Sequence, residues 1–204
     1  MVFFPLRVYH HTCLGIPFAS SSIRGRGTVV FCVDDLSDEK ARLALKMTWQ
    51  DLERIDDQAR VTKRLVDSSH PNVIVPIKMF DADKKGQTCT TLGAIRGFLD
   101  EQIHRVNVEN RVLSVSVSEL KRPVKYFWGV HDFVRGLRGA LLGHELLTSI
   151  GILHRDISEN NIVLGLYPWQ ERGYLIDFDM AILQSSSTRY VGRLLNFRIG
   201  HSLT

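Results

Sequence analysis

His154-Arg155-Asp156-Ile157-Ser158-Glu159-Asn160-Asn161 is followed, about twenty residues on, by Leu175-Ile176-Asp177-Phe178-Asp179, and this ordered pair decides the fold. In each stretch, apolar strand-like residues lead directly into acidic or amide side chains. Two such matches in this order and at this spacing are hard to obtain by chance. The first has the form H-R-D-x-x-x-x-N, which carries a carboxylate, Asp156, and an amide, Asn161, on one loop. The second ends a short strand on Asp177. Such a set suits phosphoryl transfer, in which the attacking hydroxyl is held in line and phosphate charge is neutralised by a hard cation and by protein cations. Asp156 would face the hydroxyl, while Asn161 and Asp177 offer the oxygen ligands that Mg²⁺ prefers. The competing reading makes His154 and Asp156 mere loop-ordering residues and Asp177 and Asp179 surface carboxylates. It leaves the buried-strand lead into each acidic group unexplained. Arg155, beside the loop carboxylate, can receive a phosphorylated residue from the segment after Asp177. Ser185, Ser186, Ser187 and Thr188 are candidate acceptors, and a plain serine run explains them equally well.

Upstream, Ala44-Leu45-Lys46 has the form of a strand lysine that clamps nucleotide phosphates. Side chains two apart on a strand share a face, so Ala44 would lie against an adenine while Lys46 reaches the phosphates. Alone, the tripeptide reads as an exposed strand lysine; its place before a helix and the His154 to Asn161 loop reverses that. Gly25-Arg26-Gly27-Thr28 looks like part of a glycine-rich loop, where missing side chains let backbone N–H groups approach phosphate oxygens. A third glycine is absent, with Val30 near its place.

Periodicity supplies the frame for these motifs. Thr28 to Val33 and Ala41 to Met47 read as two strands of a hairpin joined through Asp34 to Lys40. From Trp49 to Val66, Leu52, Ile55, Ala59, Val61 or Thr62, and Val66 recur at helical spacing, which predicts a helix closed by His70-Pro71-Asn72. Val73 to Phe80 is a further strand, Lys84 to Gln87 a turn, and the region to about Lys125 carries no assignable pattern. Asp132 caps a long helix with Phe133, Leu137, Leu141, His144, Leu147 and Ile150 inward, stopped by Gly151. Asn161 to Leu164 and Tyr174 to Ile176 are short strands.

The composition excludes several classes. The chain has 204 residues, 44% of them hydrophobic, enough for a packed core. Lys and Arg number 26 against 22 Asp and Glu, but the charges are interspersed and accompany no nucleic-acid module, so the surplus reads as a solvated surface. Cys13, Cys32 and Cys89 lack disulfide or zinc spacing. Arg7, His10 and His11 interrupt the apolar N-terminal residues before a signal peptide can form, and no apolar run is long enough to span a membrane. The expectation is a protein of the cytoplasm or nucleus with no nucleic-acid or membrane partner.

Taken together, Gly25 to Thr28, Leu45-Lys46 with Trp49, Gly143-His144, Leu153 to Ser158 with Asn160-Asn161, and Leu175 to Asp179 resemble the fungal-type protein kinase family. The resemblance runs from about Ser20 to Leu183 and is most specific between Asp132 and Ala181. It implies an α+β, two-lobed protein kinase-like fold, with a small β-rich N-lobe over residues 20–126 and an incomplete helical C-lobe over 127–204, after an extension over 1–19. It also implies ATP and Mg²⁺ as cofactors and a protein substrate phosphorylated on Ser or Thr. Asp156 would be the catalytic base, with Arg155 beside it. Asn161 and Asp177 would hold metal, Lys46 would clamp phosphate, and Gly25, Gly27 and Ala44 would contact nucleotide. The helix acid that pairs with the lysine in this family pattern would be Asp57, or else Glu53. Ser158 stands where many Ser/Thr kinases have lysine, Asp179 replaces the usual glycine, and the residues after Ala181 lack the usual close of the activation segment. Two other readings stay open: a non-catalytic kinase-like module that binds nucleotide or a partner, and a small-molecule kinase of the aminoglycoside or choline type.

Overall fold

The computed structural model describes residues 13–19, 27–35, 38–84, 86–95, 110–167, 169–170 and 172–184. It is a mixed α and β structure with a sheet-rich first part. β1 (Cys13–Ala19), β2 (Val29–Asp35) and β3 (Asp38–Asp51) lead into α1 (Ile55–Ser68) through a 3-10 turn at Leu52–Arg54. Then follow β4 (Lys78–Asp81), the small ribbon of β5 (Asp83–Lys84) and β6 (Gln87–Thr88), β7 (Arg111–Glu119) and β8 (Arg122–Pro123). The helix α2 (Val130–Ser149) precedes β9 (Ile152–Leu153), β10 (Ile162–Leu164), β11 (Gly173–Leu175) and β12 (Ile182–Leu183). None of the described helices is long and apolar enough to cross a membrane.

The main sheet has five strands in the order β1-β2-β3-β7-β4. Period-two patterning sorts its faces. Leu45, Met47 and Trp49 of β3 stand opposite Val117, Val115 and Leu113 of β7, and they build one core with Val33, Leu43, Ala82 and Cys89. The alternate residues Ala44, Lys46 and Thr48 stand opposite Ser118, Ser116 and Ser114, so the lysine projects from a face of small side chains. The hairpin expected from Thr28 to Met47 is present, with longer strands and a shorter connection. The helix expected from Trp49 starts later. Trp49, Gln50 and Asp51 stay in β3 because they pair with Leu113, Val112 and Arg111, and a full ladder outweighs local helical spacing. The buried side chains of α1 are Gln58, Val61 and Leu65, whereas Leu52 and Val66 of the expected face are exposed. Of the strand expected over Val73 to Phe80, the part from Lys78 is strand, and Val73 makes a single parallel bridge to Leu175.

Helix α2 corrects a second expectation. Asp132 lies within its first turn, where its carboxylate accepts hydrogen bonds from the Trp128 N–H and Arg122 Nη1, both at 2.9 Å. The inward stripe is Gly136, Gly139, Ala140, Gly143 and Leu147, while Leu137 and Leu141 are exposed. The reason is closeness of backbones. A methyl at Gly139 would meet the Gly173 carbonyl oxygen at 2.3 Å, and one at Gly143 would meet that of Asn72 at 2.8 Å. With no side chains between them, α2 lies directly on β11 and on the Asn72 turn, and Asn72 Nδ2 donates to Gly173 O at 2.8 Å. The second core gathers Val61, Leu65, Val73, Leu147, Ile152, Leu175, Phe178 and Ala181, so α1, α2 and the strands around the two motifs share one interior.

Gly139→Ala separates these effects. Helix propensity alone would stabilise by up to about 1 kcal/mol, whereas the carbonyl contact predicts a net loss of about 1–3 kcal/mol. Chemical denaturation of the full chain measures it, with Leu141→Ala, on the exposed side, expected to shift stability by about 0.5 kcal/mol or less.

Candidate active site

The first motif forms a short loop between β9 and β10, and buried His154 pins it. The backbone N–H of Asp156 donates to His154 Nδ1 at 3.3 Å, so Nε2 carries the ring proton and donates to Ile176 O at 3.0 Å. Phe178 packs edge-on against the imidazole, with ring centroids 5.2 Å apart. The Ile176 N–H donates to Asn161 O at 3.1 Å, which closes a second link between the two motifs. Within the loop, Asn161 Nδ2 donates to Asp156 O at 2.7 Å and to Asp156 Oδ2 at 3.2 Å. That bond fixes the carboxylate and turns the amide so that Oδ1 is its remaining acceptor. Arg155 and Asp177 adopt φ of 66° and 63°, a left-handed backbone that β-carbon sterics disfavour. Such strain persists where surrounding bonds over-determine it, and both residues flank the bonds just described.

Lys46 reaches this assembly from β3. Its Nζ lies 2.8 Å from Asp177 Oδ1 and 2.7 Å from Asp179 Oδ2. Burial alone would lower the lysine pKa, but the charges of Asp177 and then Asp179, with their hydrogen bonds, outweigh it and hold the pKa above the ordinary value. A folded pKa above the unfolded one gives stability that is present below about 10.5 and is lost only as pH rises through the folded value, so the ammonium is charged throughout the neutral range. The Asp179 N–H also donates to Asp177 Oδ1 at 3.3 Å, and Gln58 Nε2 of α1 donates to Asp179 O at 2.9 Å.

The structure thus brings together Lys46, Asp177, Asp156 and Asn161. Ala44 shares the Lys46 face of β3, as strand period requires. Gly27 has φ of 55°, and a methyl there would meet Trp49 Cδ1 at 3.3 Å. Gly25 and the stretch from Ser185 to Thr188 lie outside the described residues. The expected helix partner of Lys46 is corrected: Asp57 pairs with Arg60 on the same helix, and Glu53 is exposed in the preceding turn. The residue that α1 turns toward the second motif is Gln58, a neutral amide in place of the expected acid.

A family model for fungal protein kinases matches residues 12–195. The chain belongs to the fungal protein kinase family. No curated protein matches it. It is therefore a kinase-like protein, and kinases in general use ATP and Mg²⁺.

The donor set of this family member fits Mg²⁺ in one particular way. Among the described residues no cluster of three or more His, Cys, Asp or Glu side chains is disposed to hold a metal. Asp177 and the Oδ1 of Asn161 are hard oxygen donors, and Mg²⁺ is commonly bound by one or two protein oxygens plus substrate phosphates rather than by an all-protein cage. The donors present would therefore suit a divalent cation bound together with a phosphate ligand.

The fungal kinase loop also sets a pH dependence. Burial lowers the His154 pKa below 6.5, only partly offset by the bond to Ile176 O and the charges of Asp177 and Asp156. Protonation would place a proton on Nδ1 against the Asp156 N–H. Because the unfolded chain takes up this proton more readily, folded stability falls as pH drops below about 6.5 and levels off below the folded pKa. Nitrogen-15 spectra of the imidazole are expected to show a ring more than half neutral at pH 6.5, with the neutral form protonated on Nε2; a ring half-protonated or more at that pH would contradict the bonding assigned to the loop.

Proposed function

We propose that this fungal kinase family member is an ATP-dependent phosphotransferase that passes the γ-phosphoryl group of ATP to a serine or threonine hydroxyl of a protein substrate. The observation that carries the reading is the 2.8 Å approach of Lys46 Nζ to Asp177, beside a loop in which Asn161 holds Asp156. In this reading residues 20–126 form a small β-rich N-lobe, and 127–204 form the part of the C-lobe that bears the catalytic loop and the metal-binding segment. The expected boundary at residue 19 moves, because β1 (Cys13–Ala19) pairs with β2 in the main sheet and so belongs with that lobe rather than with an extension.

The chain's own groups have separable tasks. Ala44 lies under the adenine and Gly27 allows close approach of the backbone near the phosphates. Lys46 balances the charge of the α and β phosphates. Asp177 and Asn161 are the residues that would hold Mg²⁺, which supplies charge neutralisation at the phosphates when bound. Asp156 orients the acceptor hydroxyl and takes its proton as the oxygen bonds to the γ-phosphorus and the bond to ADP breaks. Arg155, exposed at the start of the loop, would pair with a phosphorylated residue of the segment after Asp177.

Thermal unfolding of the purified chain gives a first test. ATP with Mg²⁺ at 100 times its Kd should stabilise by about 2.7 kcal/mol, a rise of roughly 5–10 °C for a chain of this size, lost in Lys46→Ala and in Asp177→Ala. Phosphotransfer to a protein acceptor should then fall by about 10²- to 10⁴-fold in Asp156→Asn with nucleotide binding retained. Full transfer by Asp156→Asn would refute the assigned base. Stabilisation without transfer in the wild type would make the chain a nucleotide-binding module, and transfer only to a small hydroxylated compound would make it a small-molecule kinase.

A further inference from the structure

A lysine that clamps phosphates needs a fixed partner, because its four-carbon stem otherwise samples many positions. Protein kinases in general supply a glutamate from the helix after the lysine strand. Here that helix presents no acid to the lysine. Asp57 is engaged with Arg60, Asp56 and Glu53 are exposed, and the inward residue is Gln58, whose amide bonds to a backbone carbonyl. The ammonium instead meets Asp179, at the position where the common kinase motif has glycine.

We propose that Asp179 is the dedicated positioning residue for Lys46 and takes the place of the helix acid; this rests on the phosphotransferase reading above. Two carboxylates meet one ammonium in the structure. Once Asp177 shares its charge with a divalent cation and phosphate, Asp179 is the carboxylate that remains for the lysine. It is built for that. Its N–H bonds to Asp177 Oδ1, its carbonyl accepts from Gln58, and its side chain is 13% exposed against 17% for Lys46. A pair so withdrawn from water interacts more strongly than a surface pair. Glycine at this position could make the backbone bonds but not the ion pair.

The exchange has a mechanical consequence. With a helix acid, movement of the helix makes or breaks the lysine clamp. With Asp179, the clamp is made by the same short segment that carries Asp177, so metal ligand and lysine partner move as one piece. Helix α1 touches that segment through Gln58, and the turn before the helix touches it through Arg54, whose Nη1 lies 2.9 Å from the Met180 sulfur. Helix α1 thus supports the clamp without belonging to it.

The test is a double-mutant cycle on the full chain with Lys46→Met, Asp179→Asn and the double variant, reading KM for ATP, kcat and the Mg²⁺ concentration for half-maximal rate. Asp179→Asn is expected to raise KM for ATP by about tenfold or more, and to add little on the Lys46→Met background, since residues acting as one unit are not additive. Asp179→Glu keeps the charge and is expected to retain most of the ATP affinity, which guards against a variant that fails to fold. Additive losses, a wild-type KM in Asp179→Asn, or a shift confined to the Mg²⁺ requirement would each overturn the proposal while leaving the phosphotransferase reading intact. Failure of the wild-type chain to bind ATP would overturn that reading and this inference with it.

Discussion

The Lys46 ammonium between Asp177 and Asp179 is the interaction on which the remaining geometry depends. It joins the face of the five-stranded sheet that carries small side chains to the segment that follows β11. Removing either carboxylate changes the charge balance of a site largely closed to water, and removing the lysine takes away a cation that both carboxylates bond. The sheet must present Lys46 from the correct face, and the second motif must hold a strained backbone at Asp177. Both conditions are met by structure some distance from the ion pair itself.

One of those distant conditions is the glycine stripe of α2. Gly139 and Gly143 bring the helix backbone against Gly173 and Asn72, which sets the height of β11 and therefore of Ile176 and Asp177 beyond it. His154 then couples β11 to the loop of Asp156 through opposite sides of one imidazole. Close backbone packing, a neutral histidine and a left-handed aspartate thus form one chain of constraints, from the helix to the carboxylate assigned to the proposed phosphotransfer. A small shift at any point in that chain would be felt at Lys46.

Much of this was legible in the sequence where the signal is local. The two motifs, the hairpin of β2 and β3, the long helix and the short strands β10 and β11 all follow from side-chain order and period. Other features needed a partner that no local pattern names. Leu113, Val115 and Val117 alternate with Ser114, Ser116 and Ser118, a period-two signal that serine disguises as a turn and that would have placed β7 in the unassigned middle region. On α2, apolar periodicity points to Leu137 and Leu141, while the contact is made by glycines that have no hydropathy to display. The family pattern points to α1 for the partner of Lys46. The ion pair instead spans 133 residues to Asp179, a substitution that in sequence reads only as a lost glycine.

The most direct measurement is a structure of the full chain with Mg²⁺ and a non-hydrolysable ATP analogue. The expected result has phosphate oxygens at Lys46 Nζ, the cation on Asp177 and Asn161 Oδ1, and the Lys46 to Asp179 pair intact. A nucleotide bound elsewhere, or a lysine still shared between Asp177 and Asp179 with no phosphate contact, would contradict the assignment of this site to phosphotransfer.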